Sequence, residues 1–554
     1  MSGRLRRARV GLVGTILGVV VGAAMLWLVG LVWFRPWVAH DDFAIFRIAL
    51  ERELDGHVRL VGAHSRLGVF HPGPLREWVF AMPYWLSGRR TAALPATALA
   101  LNAGWVVWTL VVLSRLRPRR WGVAGALGLV AVVIALGADV GSPWNPHLAV
   151  VPAYLACWSL VTVVARDGQG WIACICAASF AAQMHASMLI VGGSVLAAAL
   201  ITIAWRRRRA DTALAFGLAL LLWSGPIVDL RKGGDANLVR LGTVGADGDA
   251  VGLGDATGHV SRLLWPATPW DRIAVRPSIV EFTGFHRWWL LLVVAVLALI
   301  AVSTMAAVHR PGRKDRCELP AGESAADRLP LVASVAALFA VALTVVSVSF
   351  FVEPAYRYLY GALQALAVFA IAVVVGWLVT VVEASIGRSA ARSDRMTVLG
   401  APVTIAVVVV VVVAAITVVF ASVPRQDGPS GARRELGVEG AVTAALERRP
   451  SWRSVEAVPL DLRGAGDLDA EVLDVVVRRG LDARSRRVEL GLDAPDDVDG
   501  VFAVAMSPTR ECLLSEPDAE EIIHGRSDAG DTFSVIAVDR DSVAYDRCIG
   551  LPVG

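Results

Sequence analysis

The residues best suited to chemistry lie between His40 and Tyr84. Two adjacent acids, Asp41 and Asp42, open the stretch. His57, His64, Arg66, His71 and Arg76 follow, and Pro72-Gly73-Pro74 breaks the chain before an apolar, aromatic run. A positioned carboxylate can take the proton of an attacking hydroxyl as a general base. A guanidinium offers forked donors to a departing phosphate, and imidazoles can add more. Asp42, with Asp41 as the second choice, fits the base; Arg66, His64 and His71 fit a phosphate grip. Each also has a structural alternative. Adjacent acids before Phe43 are favoured helix N-caps, and a loop beside lipid head groups carries basic residues without any catalytic role.

Other polar groups fall at turns between apolar runs. Arg357, in EPAYRYLY, could add a second phosphate contact or only snorkel. Trp144, Asn145 and His147, in SPWNPH, and Gln183 and His185, in QMH, could line a sugar pocket with an aromatic face and polar groups. They could equally be interfacial anchors and turns. Asp229, before RKGGD, stays open between a site and a structural role. A divalent metal beside Asp41 and Asp42 is compatible with this set but not demanded. A single-displacement, inverting transfer needs one base and a good leaving group. No certain cofactor is implied. The six cysteines match no zinc spacing, and no Walker or GxGxxG sequence is present.

These residues need elements to hold them. The 554 residues are 56% hydrophobic and only 18% charged. Repeated apolar runs of about 20 residues predict a polytopic α-helical membrane protein. Spans are expected at about 10–34, 93–114, 121–138 and 147–165, then two within 171–205 split near Gln183–His185. Further spans are expected at about 212–229, 287–308, 329–352, 359–382 and 398–422, which makes about 11. The first reads as an uncleaved signal anchor. With this count the basic clusters at 4–9, 115–120, Arg166, 206–209, 309–316 and 387–395 share one side. The positive-inside rule puts that side in the cytoplasm, the N-terminus in and the C-terminus out. They therefore read as topology signals, with no nucleic-acid partner.

Residues 1–422 are then a transmembrane domain with outer loops 35–92 and 230–286. The Gly/Asp-rich part of the second loop reads as a mobile lid or plain disorder. Residues 423–554 read as a small extracytoplasmic α/β domain. Its strands are expected near 454–462, 486–492, 501–506 and 533–538, and its helices near 432–448 and 468–480. Cys512 and Cys548 could pair in an oxidising compartment.

A first helix, an outer loop opening with acids, many spans and a soluble outer tail resemble the GT-C superfamily of integral membrane glycosyltransferases. VGAHSRLGVFHPGPL, then Met82-Pro83-Tyr84, PWNPH and QMH, look more closely like actinobacterial members. The resemblance implies a plasma-membrane transferase on the outer face. It would move a sugar, with inversion, from a polyprenyl-phosphate donor to a cell-envelope glycan or lipid acceptor. Asp42 would be the catalytic loop acid. The family pattern places another acid about five residues later, where this chain has Arg47. Two rivals remain. A transporter or lipid flippase would want charged residues in mid-span, where this chain has few. A non-catalytic envelope-assembly scaffold would act through its tail.

Overall fold

The structure, a computed structural model, describes residues 29–34, 37, 39, 42–65, 67–116, 118–165, 170–206, 209–244, 250–265, 285–308, 321–352, 355–390, 440–452, 454–459, 472–476, 482–484, 500–506, 513–515, 519–526 and 532–539. Asp41, Arg66, Cys512 and Cys548 lie outside these, as do the expected last span and most of the first.

Among the described residues, 7 helices are long and apolar enough to cross a membrane, or up to 8 if one bent pair is a single span. The protein is a multi-pass membrane protein. The long run 171–205 is broken where its polar triplet predicts. Helix α6 (Trp171–Met184) ends at His185, whose backbone is extended, and α7 (Leu189–Arg206) follows. The expected span 212–229 is instead a pair, Arg209–Leu222 and Ser224–Asp235, bent by 67°. Pro226, a residue that cannot donate a helical hydrogen bond, sits just past the bend.

The bundle is centred on α5 (Asn145–Ala165), which is almost wholly buried. A helix apolar on every side belongs in the middle. Small residues let its neighbour α4 (Arg119–Leu136) approach closely. A Cβ at Gly128 would lie 2.2 Å from the Tyr154 hydroxyl, which instead donates to the Gly125 carbonyl at 2.7 Å. Helix α12 (Trp288–Val308) exposes Leu291, Leu299 and Val302, as a lipid-facing span does.

Two short helices lie within the loop 35–92. The opening acid begins α1 (Asp42–Leu54), and Pro72-Gly73-Pro74 precedes α2 (Leu75–Leu86). Met82, Trp85 and Leu86 are exposed at the end of α2, a tip suited to the membrane interface.

The loop 230–286, whose Gly/Asp-rich part was expected to be a mobile lid or disorder, carries helices on either side of that part's undescribed residues 245–249. It contains α10 (Asn237–Thr243) and α11 (Gly252–Leu263). The glycines and aspartates masked a buried stripe, Ala256, Val260 and Leu263, at helical spacing. Val251 N–H also donates to the Phe351 carbonyl at 2.8 Å and ties α11 to the end of α13 (Ala321–Ser349).

The tail forms a five-stranded sheet in the order β2-β1-β3-β5-β4. Parallel β1 (Ser454–Pro459), β2 (Asp482–Arg484) and β3 (Gly500–Met506) join antiparallel β5 (Thr532–Asp539) and β4 (Glu520–Arg526). Strand β4 was not expected. EEIIHGR is a charged edge strand with little alternation, the usual guard of an exposed sheet edge. The expected strand at 486–492 lies outside the described residues.

Candidate functional site

One cavity of about 680 Å³ is lined by Asp42, His64, His71, Trp144, Asn145 and His185, together with Tyr356 and Tyr358. Six residues singled out in the sequence thus line one cavity. The lining also includes apolar side chains, among them Leu238, Leu241, Ile190, Phe350 and Val352. The space offers contacts for both a polar head group and a hydrocarbon.

Asp42 stands at the first turn of α1, and its side chain is exposed to the cavity. The Trp144 indole N–H donates to its Oδ2 at 2.8 Å. Trp144 is held in turn by rings on two sides: His147 at 4.9 Å and Tyr358 at 5.0 Å between centroids. The loop acid is therefore aimed by a residue from the start of the central helix.

The histidines form a second group. A short hairpin pairs His64 with Phe70, and His71 follows it. His71 Nδ1 accepts the Ala186 backbone N–H at 3.1 Å, and its ring lies 4.8 Å from that of His185. His185 Nδ1 meets the Ser187 hydroxyl at 2.7 Å and the Ser187 N–H at 3.3 Å. A ring nitrogen that accepts a backbone N–H carries no proton, so each neutral imidazole keeps its proton on Nε2 as a donor. Burial first, then the positive charges of His185, Arg76 and His64, hold His71 well below the usual imidazole range. Burial holds His185 down at about 4. Both are neutral donors at pH 7.

A stability prediction follows with a definite sign. Below about pH 6.5 the unfolded chain protonates these imidazoles while the folded chain resists, so folding loses free energy as pH falls from 6.5 towards 4. The thermal midpoint of His185→Gln should fall less over that window than that of the unmodified chain. Parallel pH profiles for the two would contradict a neutral, buried His185.

The hairpin is clamped from the loop 230–286. Asn237 Oδ1 accepts the Phe70 N–H at 2.8 Å, and its Nδ2 donates to the Phe70 and His71 carbonyls at 2.9 and 3.3 Å. Buried Asp229 accepts the Asn237 N–H at 2.7 Å and pairs with Lys232 at 2.8 Å. Arg240 donates to the Gly68 carbonyl at 2.7 Å. Asp229 thus supports α10 and does not line the cavity. The sequence carried no signal for Asn237, which sits in a polar loop. Tyr356 and Tyr358 had one, their spacing around Arg357.

Three expected pocket residues lie elsewhere. Gln183 Nε2 donates to the Leu222 carbonyl at 2.8 Å, and a Cβ at Gly73 would lie 2.0 Å from its Oε1. It seals the joint between α6, the Pro-Gly-Pro turn and α8 (Arg209–Leu222). His147 is buried beneath Trp144, with Nδ1 at 3.8 Å from Asp139, whose carboxyl burial pushes up to about 7. His147 does not line the cavity, although Trp144, Asn145 and Pro146 before it do. Arg357 is not a lining residue although both flanking tyrosines are, and its Nε is buried without a hydrogen bond. The 3-10 turn it opens directs neighbouring side chains to different sides. Among the described residues no group of three or more His, Cys, Asp or Glu could hold a metal ion. Among the described residues Asp42 is the one acid that lines the cavity; Asp41, expected beside it, lies outside them.

No protein-family model matches the chain, and no curated protein matches it. Among solved structures it is similar to ArnT from Cupriavidus metallidurans bound to undecaprenyl phosphate. Identity is 13% and the TM-score 0.51, over 92% of this chain and 97% of that one. The apo structure of the same protein aligns with a TM-score of 0.39 at 15% identity, over 98% of this chain and 100% of that one. With identity so low and coverage so complete, what the two chains have in common is their architecture: this protein has the fold of ArnT.

Proposed function

We propose that the protein is a membrane glycosyltransferase of the GT-C type. It moves a sugar from a polyprenyl-phosphate donor to a cell-envelope glycan or lipid acceptor, on the outer face of the plasma membrane. The observation that carries this reading is the cavity itself. One exposed carboxylate, Asp42, lines the same cavity as the neutral imidazoles of His71 and His185 and a set of apolar side chains. The fold likeness to a protein holding undecaprenyl phosphate agrees with it.

In the reaction the acceptor hydroxyl gives its proton to Asp42 as its oxygen attacks the anomeric carbon. The bond from that carbon to the phosphate oxygen breaks, and the electron pair leaves with the polyprenyl phosphate. Attack from the face opposite the leaving group inverts the configuration. His64, His71 and His185 donate to the phosphate from Nε2 or at the cavity rim. The charge they leave unmet falls to Arg66 in this reading, with Asp41 as a neighbour of the base; Arg357, which does not line the cavity, drops out of the phosphate grip. Trp144 and Asn145 hold the sugar ring, and Gln183 and His147 fix the walls behind it. The apolar side chains take the first isoprene units.

The test is transfer by the purified full chain in lipid vesicles, given a panel of labelled polyprenyl-phosphate sugars and an envelope glycan extract. Label should pass into glycan or lipid acceptor. Label that crosses the bilayer with its donor intact would replace this reading with a transporter. A chain inert to every donor would overturn it.

A further inference from the structure

Arg47 stands where the family resemblance expects a second acid, and the structure shows what it does instead. Its guanidinium forms a buried ion pair with Asp474, which comes from a helical turn in the tail, 472–476. Both side chains are almost fully buried, 4% and 2% exposed. The pair lies on the same stripe of α1 as Ala44 and Ile48, which complete a core with Trp452, Val472 and Val455 of the tail. The other stripe of α1, Phe46 and Leu50, packs into the membrane domain. Phe46 meets Phe80 edge-on at 5.2 Å, and Glu51 accepts the Tyr84 hydroxyl at 2.7 Å. The helix that begins with Asp42 is therefore gripped from two sides by two parts of the chain far apart in sequence. An isolated helix of 13 residues is marginal in water, so its direction is set by what packs on it.

We propose that the tail domain is a positioning element of the active site: Asp474 and Arg47 form a positioning pair that fixes the angle at which α1 presents Asp42 to the cavity. The function of the pair rests on reading Asp42 as the base; the mechanical coupling does not. Removing one partner strands a buried charge, whereas replacing both by apolar side chains need not.

The experiment compares the full chain with Arg47→Met, Asp474→Leu and the double variant. It reads backbone hydrogen exchange over 43–50 alongside transfer kinetics. Each single variant should speed exchange over 43–50 and lower kcat by about 100-fold with KM little changed, the scale of a misplacement near 1 Å. The double variant should restore both to within about threefold, a non-additivity expected of groups in direct contact. Effects that simply add, or exchange over 43–50 unchanged while kcat falls, would overturn the proposal. If a single variant unfolds the tail, seen as lost protection in β1 and β3, the double variant decides. Recovery supports the pair, and continued unfolding overturns it. If the unmodified chain transfers nothing, the exchange arm still decides the coupling, and only the reading of Asp42 falls.

Discussion

Asp42→Asn should lose about 10²–10⁴-fold in kcat, the range that a general base supplies. Asparagine keeps an oxygen that can accept from the Trp144 indole, so α1 and the cavity wall should stay in place. What it cannot do is take a proton from the acceptor hydroxyl. KM for the donor should therefore change little, because in the proposed reading the donor phosphate is met by the histidines that line the cavity and not by Asp42. Melting temperature and exchange over α1 should match the unmodified chain. Equal kcat in the two proteins would move the base elsewhere, with Asp41 the first alternative.

The second large effect belongs to a residue that touches no substrate in this account. Asn237→Ala removes three hydrogen bonds that hold the backbone of Phe70 and His71. A buried backbone group left without a partner costs about 1–3 kcal/mol. The hairpin carrying His64 and His71 should loosen, and kcat/KM should fall by about 100-fold. Exchange of the Phe70 amide should quicken in the same variant, while α1 stays protected. Asn237→Asp keeps the acceptor for the Phe70 N–H and loses the donor to both carbonyls. It should fall between the two. Unchanged exchange at Phe70 in Asn237→Ala would remove the clamp from the account.

Much of this arrangement was legible in the sequence, for reasons that can be named. The break at His185 was readable because a run of 35 apolar residues is too long for one crossing, and a polar triplet marks the only cheap place to turn. Asp42 was readable because an acid just past an apolar run has only two uses, a cap or a site. The structure puts it at the first turn of a helix and against a cavity at once. The histidine hairpin was readable as a cluster, but not its support. Asn237 lies 167 residues from Phe70, and no local pattern announces a contact of that range.

Gln183 and His147 show the opposite limit. Both were expected either to line a sugar pocket or to serve as turns and anchors; the structure buries them, and buried polar groups serve helix joints as well as pockets. Only a neighbour such as Gly73, whose missing side chain makes room for Gln183, tells the two uses apart. Arg47 was legible as a departure from the family pattern and nothing more. Its partner, Asp474, lies 427 residues away in a domain of different composition. Departures of this kind are worth reading as contacts with parts of the chain that the family pattern does not cover.

The central claim is a single displacement at the cavity, with Asp42 as its one base. The measurement that tests it most directly is the anomeric configuration of the product after a single turnover, read by NMR on glycan formed by the reconstituted chain. The account predicts a configuration inverted from that of the polyprenyl-phosphate donor. Retention would require a covalent glycosyl-enzyme and a second displacement, and would contradict it.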